Sequence, residues 1–202
     1  MCLNSTTIFN RSTYVNRTSG ALLMQVPCGK CSECFSLKRD EWTLRAFYEW
    51  KECMKHHGIG LFDTLTYNPL SLDTRTFYGI PTFSKKDLRL FFHKLRNRLK
   101  KSGITFRYLV TCEYGELLHR PHYHVLFFIY PPSDKILDKN TLALRFHAAI
   151  SASWTEPKKL KDGTIAYRLI NGRKCIIMRS LGFHDLRQEC LNHIVDSVHG
   201  LR

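Results

Sequence analysis

The sequence has no run of about 18 apolar residues, so no membrane-spanning helix is expected. Its opening residues, MCLNSTTIFNRSTY, lack the apolar core of a signal peptide, and a cytoplasmic protein is the expectation. No internal repeat or low-complexity tract occurs, which argues against a repeat array. Acidic residues are scarce: 17 Asp and Glu stand against 31 Lys and Arg, for a net charge of +14 and a pI near 9.6. A chain so short of negative charge suits a polyanionic partner, because each phosphate it neutralises releases condensed counterions. The plainer alternative is a solvated basic surface. What is present is enough for a core: 44% of the 202 residues are hydrophobic, which fits one domain, or one domain with a small accessory element.

The eight cysteines need a reading that suits a reducing compartment. Three lie in VPCGKCSEC, where Cys28, Cys31 and Cys34 repeat the CxxC spacing of a zinc knuckle, and Cys2 can supply a fourth thiolate from the N-terminal arm. Unligated thiols and a redox CxxC are the alternatives. Cys53, Cys112, Cys175 and Cys190 are scattered and read as small core residues.

Element signals follow in order. Trp42, Ala46, Trp50 and Cys53 keep helical spacing, with Gly58 as the stop. LFDTLTY (61–67) reads as a strand broken by Asn68 and Pro69, and 70–82 reads as an exposed loop. SKKDLRLFFHKLRNRLKKSG is the clearest helix: Ser84 and Asp87 have capping-box-like spacing, Leu88, Phe91, Phe92, Leu95 and Leu99 form an apolar stripe, and Gly103 ends it. Lys85, Lys86, Arg89, Arg96, Arg98, Lys100 and Lys101 cover much of the remainder, either as a solvated face or as a track for DNA phosphates. FRYLVTCEYG (106–115) and HYHVLFFIY (122–130) read as two strands joined by a short polar turn. Leu142, Phe146, Ile150 and Trp154 mark another helix, and TIAYRLI and RKCIIM form a hairpin at Asn171 and Gly172. The tail from Gly182 reads equally as helix or loop. The whole is α+β, an antiparallel sheet of about five strands flanked by helices.

The strand RPHYHVLFFIY opens with two histidines. Residues two apart on a strand share a face, so His122 and His124 project together. Each neutral imidazole offers one lone pair, and a hairpin brings Glu113 close to both. An HxH triplet also arises by chance, and satisfied edge histidines are common. Two nitrogens and a carboxylate oxygen with open positions suit Mn²⁺ or Mg²⁺ better than a closed zinc site.

His122-Tyr123-His124 followed by an apolar strand resembles the HUH motif, histidine–hydrophobic–histidine, of rolling-circle replication initiators and relaxases. FDTLTY resembles the strand motif that precedes it in those proteins. Taken in order, Met1-Cys2, VPCGKCSEC, a tryptophan-bearing helix, EYG and RPHYH resemble the replication-initiation proteins of gokushovirus-type microviruses, across about residues 1–130. The resemblance implies a five-stranded antiparallel sheet flanked by helices. It implies a metal-dependent endonuclease that nicks the origin strand through a tyrosine, which becomes linked to the 5′ end and frees a 3′ hydroxyl for the host replication machinery. It also implies that the ion on Glu113, His122 and His124 polarises the scissile phosphate, and that single-stranded DNA lies in a basic groove with bases stacked on aromatic rings. The expected organisation is an N-terminal arm, cysteine cluster and helix over 1–58 and an HUH-type nuclease domain over 59–202.

One departure concerns the nucleophile. The family carries its tyrosine on a helix after the histidine motif, with a lysine three residues later. Tyr48 and Lys51 have that spacing but precede the motif. Tyr130 shares the ligand strand, about 20 Å along from His124 at the usual rise per residue. Tyr167 is the candidate that remains, in a strand-like run, and the expectation is a chain that stops before its tyrosine helix. The competing class is a non-enzymatic, zinc-stabilised nucleic-acid-binding module with structural histidines.

Overall fold

Alternation along two segments sets the architecture of the computed structural model, which describes residues 2, 4–9, 23–73, 75–116, 119–133, 137–170 and 173–188. In chain order the elements are β1 (Thr6–Phe9), β2 (Leu23–Val26), α1 (Ser32–Lys55), β3 (Ile59–Tyr67), a one-turn α2 (Pro69–Leu72), β4 (Thr76–Phe77), β5 (Ile80–Pro81), α3 (Lys85–Leu99), β6 (Thr105–Tyr114), β7 (Pro121–Tyr130), α4 (Lys139–Ser153), β8 (Thr155–Pro157), β9 (Tyr167–Ile170), β10 (Arg173–Ile176), β11 (Met178–Ser180) and β12 (Gly182–Gln188). Two compact units divide the chain, one within residues 1–47 and one within 48–193.

In the second unit, β12, β3, β7 and β6 form a fully antiparallel sheet in that order. Every other residue of β3 is buried, as the period of two demands: Leu61, Asp63, Leu65 and Tyr67 point inward while Phe62, Thr64 and Thr66 are half-exposed. β7 is central and carries the longest buried run, Val125 to Ile129. One face is covered by α3 and α4. The α3 stripe Phe91, Phe92, Leu95 and Leu99 and the α4 stripe Leu142, Phe146 and Ile150, with Trp154, pack on Leu61, Leu65, Tyr123, Val125, Phe127 and Ile129. Each such leucine or phenylalanine contributes about 1.5–3 kcal/mol by leaving water. Caps hold these helices where the sequence has them: Ser84 Oγ accepts from Asp87 N–H (3.2 Å), and Asp138 Oδ1 from Thr141 N–H (2.9 Å).

Residues 48–55 of α1 cover part of the opposite face. The Trp50 ring sits where a side chain at Gly60 would be, and Cys53 Sγ donates toward the carbonyls of Ile59 and Ile129. Glu49 accepts from Arg107 (2.8 Å) and from the Tyr130 hydroxyl. The other end of that face holds the histidines.

Four readings are corrected. The central sheet has four strands among the described residues, where about five were expected, because β9 pairs with β10 alone in its own hairpin. The tail read as helix or loop begins as strand β12, drawn into the ladder by the free edge of β3 in the register Gly182↔Tyr67. The stretch read as loop after Asn68 contains α2 and the small β4–β5 hairpin. Of the scattered cysteines, Cys53 is a core residue, but Cys112 is exposed near the end of edge strand β6 and Cys175 is half-buried. Cys190, Asn171 and Gly172 lie outside the described residues.

Candidate active site and metal centre

Register places the histidine site. Thr66 pairs with His122 and Thr64 with His124 across β3 and β7, while Glu113 pairs with His122 and Thr111 with His124 across β6 and β7. Directly opposed residues share a face, so all six belong to one patch at the open end of the sheet. Thr66 Oγ1 lies 2.9 Å from His122 Nδ1, and Thr64 Oγ1 lies 3.0 Å from His124 Nδ1. With Nδ1–H donating to the hydroxyl, each Nε2 keeps its lone pair. Phe62 stacks on the His124 ring at 5.5 Å and an interplanar angle of 14°, which fixes the ring plane. Burial, then the positive charges of His124 and Arg120, hold His122 below the ordinary histidine value, against the pull of Glu113. His122 is therefore kept in the neutral form that can ligate.

His124 Nε2 and Glu113 Oε1 are 3.4 Å apart. Neighbouring donors on an octahedral ion at about 2.1 Å lie about 3 Å apart, so this pair is close to the spacing one ion requires. His122 stands differently. Its ring is 6.5 Å from that of His124, and its Nε2 lies so near the Gly115 backbone that a Cβ there would approach it to 2.6 Å. The geometry thus brings His124 and Glu113 together and leaves His122 turned toward the hairpin.

Tyrosines are distributed around this patch. Tyr67 and Tyr123 are buried, their hydroxyls 3.0 Å apart, and Tyr67 donates to Asp87 (2.9 Å). Burial pushes both phenols up. Tyr130 is raised by burial and its bond to Glu49. Tyr48 on α1 and Tyr167 on β9 are exposed.

In the first unit the donors converge more tightly. The sulfurs of Cys2, Cys28, Cys31 and Cys34 all lie within 4.8 Å of one another, and among the described residues no other group of three or more His, Cys, Asp or Glu donors does so. Cys2 Sγ and Cys31 Sγ are 3.8 Å apart and Cys28 Sγ and Cys34 Sγ 4.0 Å, so the thiols are unbonded. Sulfurs at the corners of a tetrahedron around an ion, with metal–sulfur bonds of about 2.3 Å, are about 3.8 Å apart. The cluster can hold a metal ion. Backbone N–H groups of Lys30 (3.4 Å) and Cys31 pull the Cys28 thiol down to about 6, favouring the thiolate that ligates.

Lys85, Lys86, Arg89, Arg96, Arg98, Lys100 and Lys101 are all exposed along α3 and the 3₁₀ turn after it. Between α3 and β6 runs a groove of about 280 Å³ lined by Lys85, Leu88, Arg89, Phe92, Arg96, Tyr108 and Val110. Tyr108 stacks on Phe92 at 3.7 Å, and the Arg96 guanidinium lies 5.5 Å from the Tyr108 ring centre. Sequence reading missed Thr64, Thr66, Phe62 and Gly115. The one available signal was that Thr64 and Thr66 keep the same spacing of two as the histidines.

Known proteins similar to this chain carry replication names. It is 37% identical over 110 residues to the replication-associated protein ORF2 of Spiroplasma virus 4, covering 54% of this chain and 33% of that protein. It is 33% identical over 116 residues to the replication-associated protein VP4 of Bdellovibrio phage phiMH2K, again 54% of this chain and 33% of that protein. The chain spans about a third of the length of these curated relatives. No solved structure matches. The resemblance to a microvirus-type replication protein is borne out. Residues 60–170, more than half of the chain and including β3, β6 and β7, match one family model, and the chain belongs to that family, the replication-associated protein ORF2 family.

Proposed function

We propose that this chain acts in phage DNA replication as the HUH-type part of a rolling-circle initiator, which nicks and rejoins one DNA strand at the origin through a tyrosine. The observation that carries this reading is the paired histidines on β7, each with Nδ1 bonded to a β3 threonine and one beside Glu113, in a chain of a replication-associated family. Glu113, His122 and His124 would hold Mn²⁺ or Mg²⁺. A divalent ion there supplies positive charge that polarises the scissile phosphate and offsets charge building on its oxygens. The threonines hold the rings in one tautomer, and Phe62 keeps the His124 ring from turning. The nuclease domain is assigned to 59–202, and 1–58 to an accessory element in which Cys2, Cys28, Cys31 and Cys34 bind structural zinc, the ion that favours four thiolates. Exposed Lys85, Lys86, Arg89, Arg96, Arg98, Lys100 and Lys101 would line the path of single-stranded DNA. The 3′ end freed by the nick would serve the host replication machinery.

Tyr167 is the nucleophile candidate within the chain after the histidine motif, and β9 pairs with β10 rather than with the site sheet. The chain is therefore expected to bind single-stranded DNA and a divalent ion while nicking poorly by itself. A second reading, a zinc-stabilised nucleic-acid-binding module without catalysis, is favoured by the stance of His122 against Gly115. Incubation with single-stranded phage origin DNA and Mn²⁺ separates the two. A covalent protein–DNA adduct, even in low yield and lost in His124→Ala, supports the nuclease, and mapping it names the tyrosine. Salt-sensitive binding with no adduct supports the module.

A further inference from the structure

The loop between β3 and α3 contains a small hairpin whose tip is built from exposed rings. Phe77 closes β4, Ile80 opens β5, and the two pair across a two-residue turn, Tyr78-Gly79. Tyr78 is 90% exposed, Phe77 66% and Ile80 64%, and the two rings meet edge to face at 4.4 Å. Both turn residues have positive φ, 51° at Tyr78 and 78° at Gly79, as the tight hairpin turn requires. Glycine adopts that conformation freely. A tyrosine does not, and asparagine, aspartate or glycine usually stands at its position. The fold therefore holds a large aromatic ring in water on a backbone that disfavours it, which is the pattern of a residue kept for contact with a ligand.

The hairpin is also braced. Thr82 N–H donates to the Arg75 carbonyl (2.8 Å), closing the base of the loop. The Arg75 guanidinium bonds Asp87 at the start of α3 and Glu156 on β8 (2.8 Å). Phe83, two residues past β5, packs on Tyr114 at 4.6 Å, and Tyr114 is the neighbour of Glu113 on β6. The foot of the hairpin thus meets the same end of the sheet as His122, His124 and Glu113.

We propose that the β4–β5 hairpin is a base-stacking site for single-stranded DNA, with Phe77 and Tyr78 as its platform. The inference rests on the reading that single-stranded DNA is the substrate of the histidine site. Charge selects this occupant. From 76 to 86 the chain carries no carboxylate, and it ends in Lys85 and Lys86, exposed on the first turn of α3 with Arg89 close behind. The backbone of a strand whose bases lie on the rings would run toward ammonium and guanidinium groups. Rings supply stacking energy that tolerates any base, and the basic side chains supply the salt-dependent part. A strand held at both places would cross the end of the sheet beside Glu113.

The test is titration of the whole chain against a fluorescein-labelled oligodeoxythymidine, read by anisotropy at two salt concentrations. Tyr78→Gly and Phe77→Ala should each weaken binding about tenfold, the usual loss for one stacked base, with the salt slope unchanged. Tyr78→Phe keeps the ring and should bind as the parent does. Tyr78→Gly also relieves the backbone, so its melting temperature should equal or exceed the parent's, which removes misfolding as an explanation. Parent-like affinity in both Tyr78→Gly and Phe77→Ala overturns the proposal while leaving the substrate reading intact. Failure of the parent chain itself to bind the oligonucleotide overturns both. Loss of self-association in sedimentation, with DNA affinity unchanged, would make the hairpin a protein-docking surface and also overturn it.

Discussion

Thr66 and His122 face each other across β3 and β7 with Oγ1 2.9 Å from Nδ1, and one pleat along Thr64 and His124 repeat the relationship at 3.0 Å. Partners on the far nitrogen set the tautomer and aim of a ligating imidazole. Thr64→Val with Thr66→Val keeps nearly the same volume and removes both hydroxyls. The double variant should stay folded and lose Mn²⁺ affinity about 10- to 100-fold by calorimetric titration. Unchanged affinity would reduce the threonines to ordinary strand residues.

Gly115 and His122 supply a second prediction. An alanine at 115 would put its Cβ 2.6 Å from His122 Nε2, closer than atoms tolerate, and the ring must swing away. Gly115→Ala should therefore alter Mn²⁺ binding and shift the His122 ring resonances, with those of His124 little changed. Resonances of both histidines identical to the parent's would show that the ring does not rest where described.

The cysteine cluster predicts a metal stoichiometry. Reduced protein should contain close to one zinc per chain by elemental analysis, and Cys34→Ser should lose most of it. A strong chelator should loosen the first unit, since ligation energy is folding energy, while leaving the cooperative melt of the sheet unit in place. Zinc-free protein with unchanged proteolysis of residues 23–47 would return these residues to ordinary thiols.

The charge network at Glu156 predicts an acid limb. Burial alone would raise this carboxyl, but bonds from Arg75, Ser71 and Arg179 outweigh it and hold Glu156 below its ordinary value of 4.5. A depressed carboxyl contributes its full stability above the unfolded value and loses it as pH falls through the folded one. Stability should thus decline as pH falls below about 4.5, the unfolded glutamate value, and Glu156→Gln should flatten that part of the curve. The same substitution should cost about 3 kcal/mol at neutral pH, because it strands Arg75 and Arg179 at a mostly buried site. Denaturant melts from pH 3 to 7 would check both effects.

Periodicity alone determined several elements. The α3 stripe from Leu88 to Leu99, its Ser84 cap and the alternation in β3 and β7 are local patterns that survive folding because they match the period of the element that forms. That His122 and His124 share a face was legible for the same reason. The zinc-knuckle spacing of Cys28, Cys31 and Cys34 was also local. What joined these pieces was not. The β3–β7 register, which sets Thr66 against His122, links residues 56 apart in the chain, and no pattern in either strand specifies the offset. The edge position of β12 depended on β3 having an unpaired side, so its segment read equally as helix or loop. The stance of His122 against Gly115, the bracing of the β4–β5 hairpin by Arg75 and the exposure of Cys112 are likewise decided by which surfaces meet. Local sequence sets the shape and the faces of each segment, whereas distance and burial between faces are settled only when the whole chain competes to cover its apolar surface.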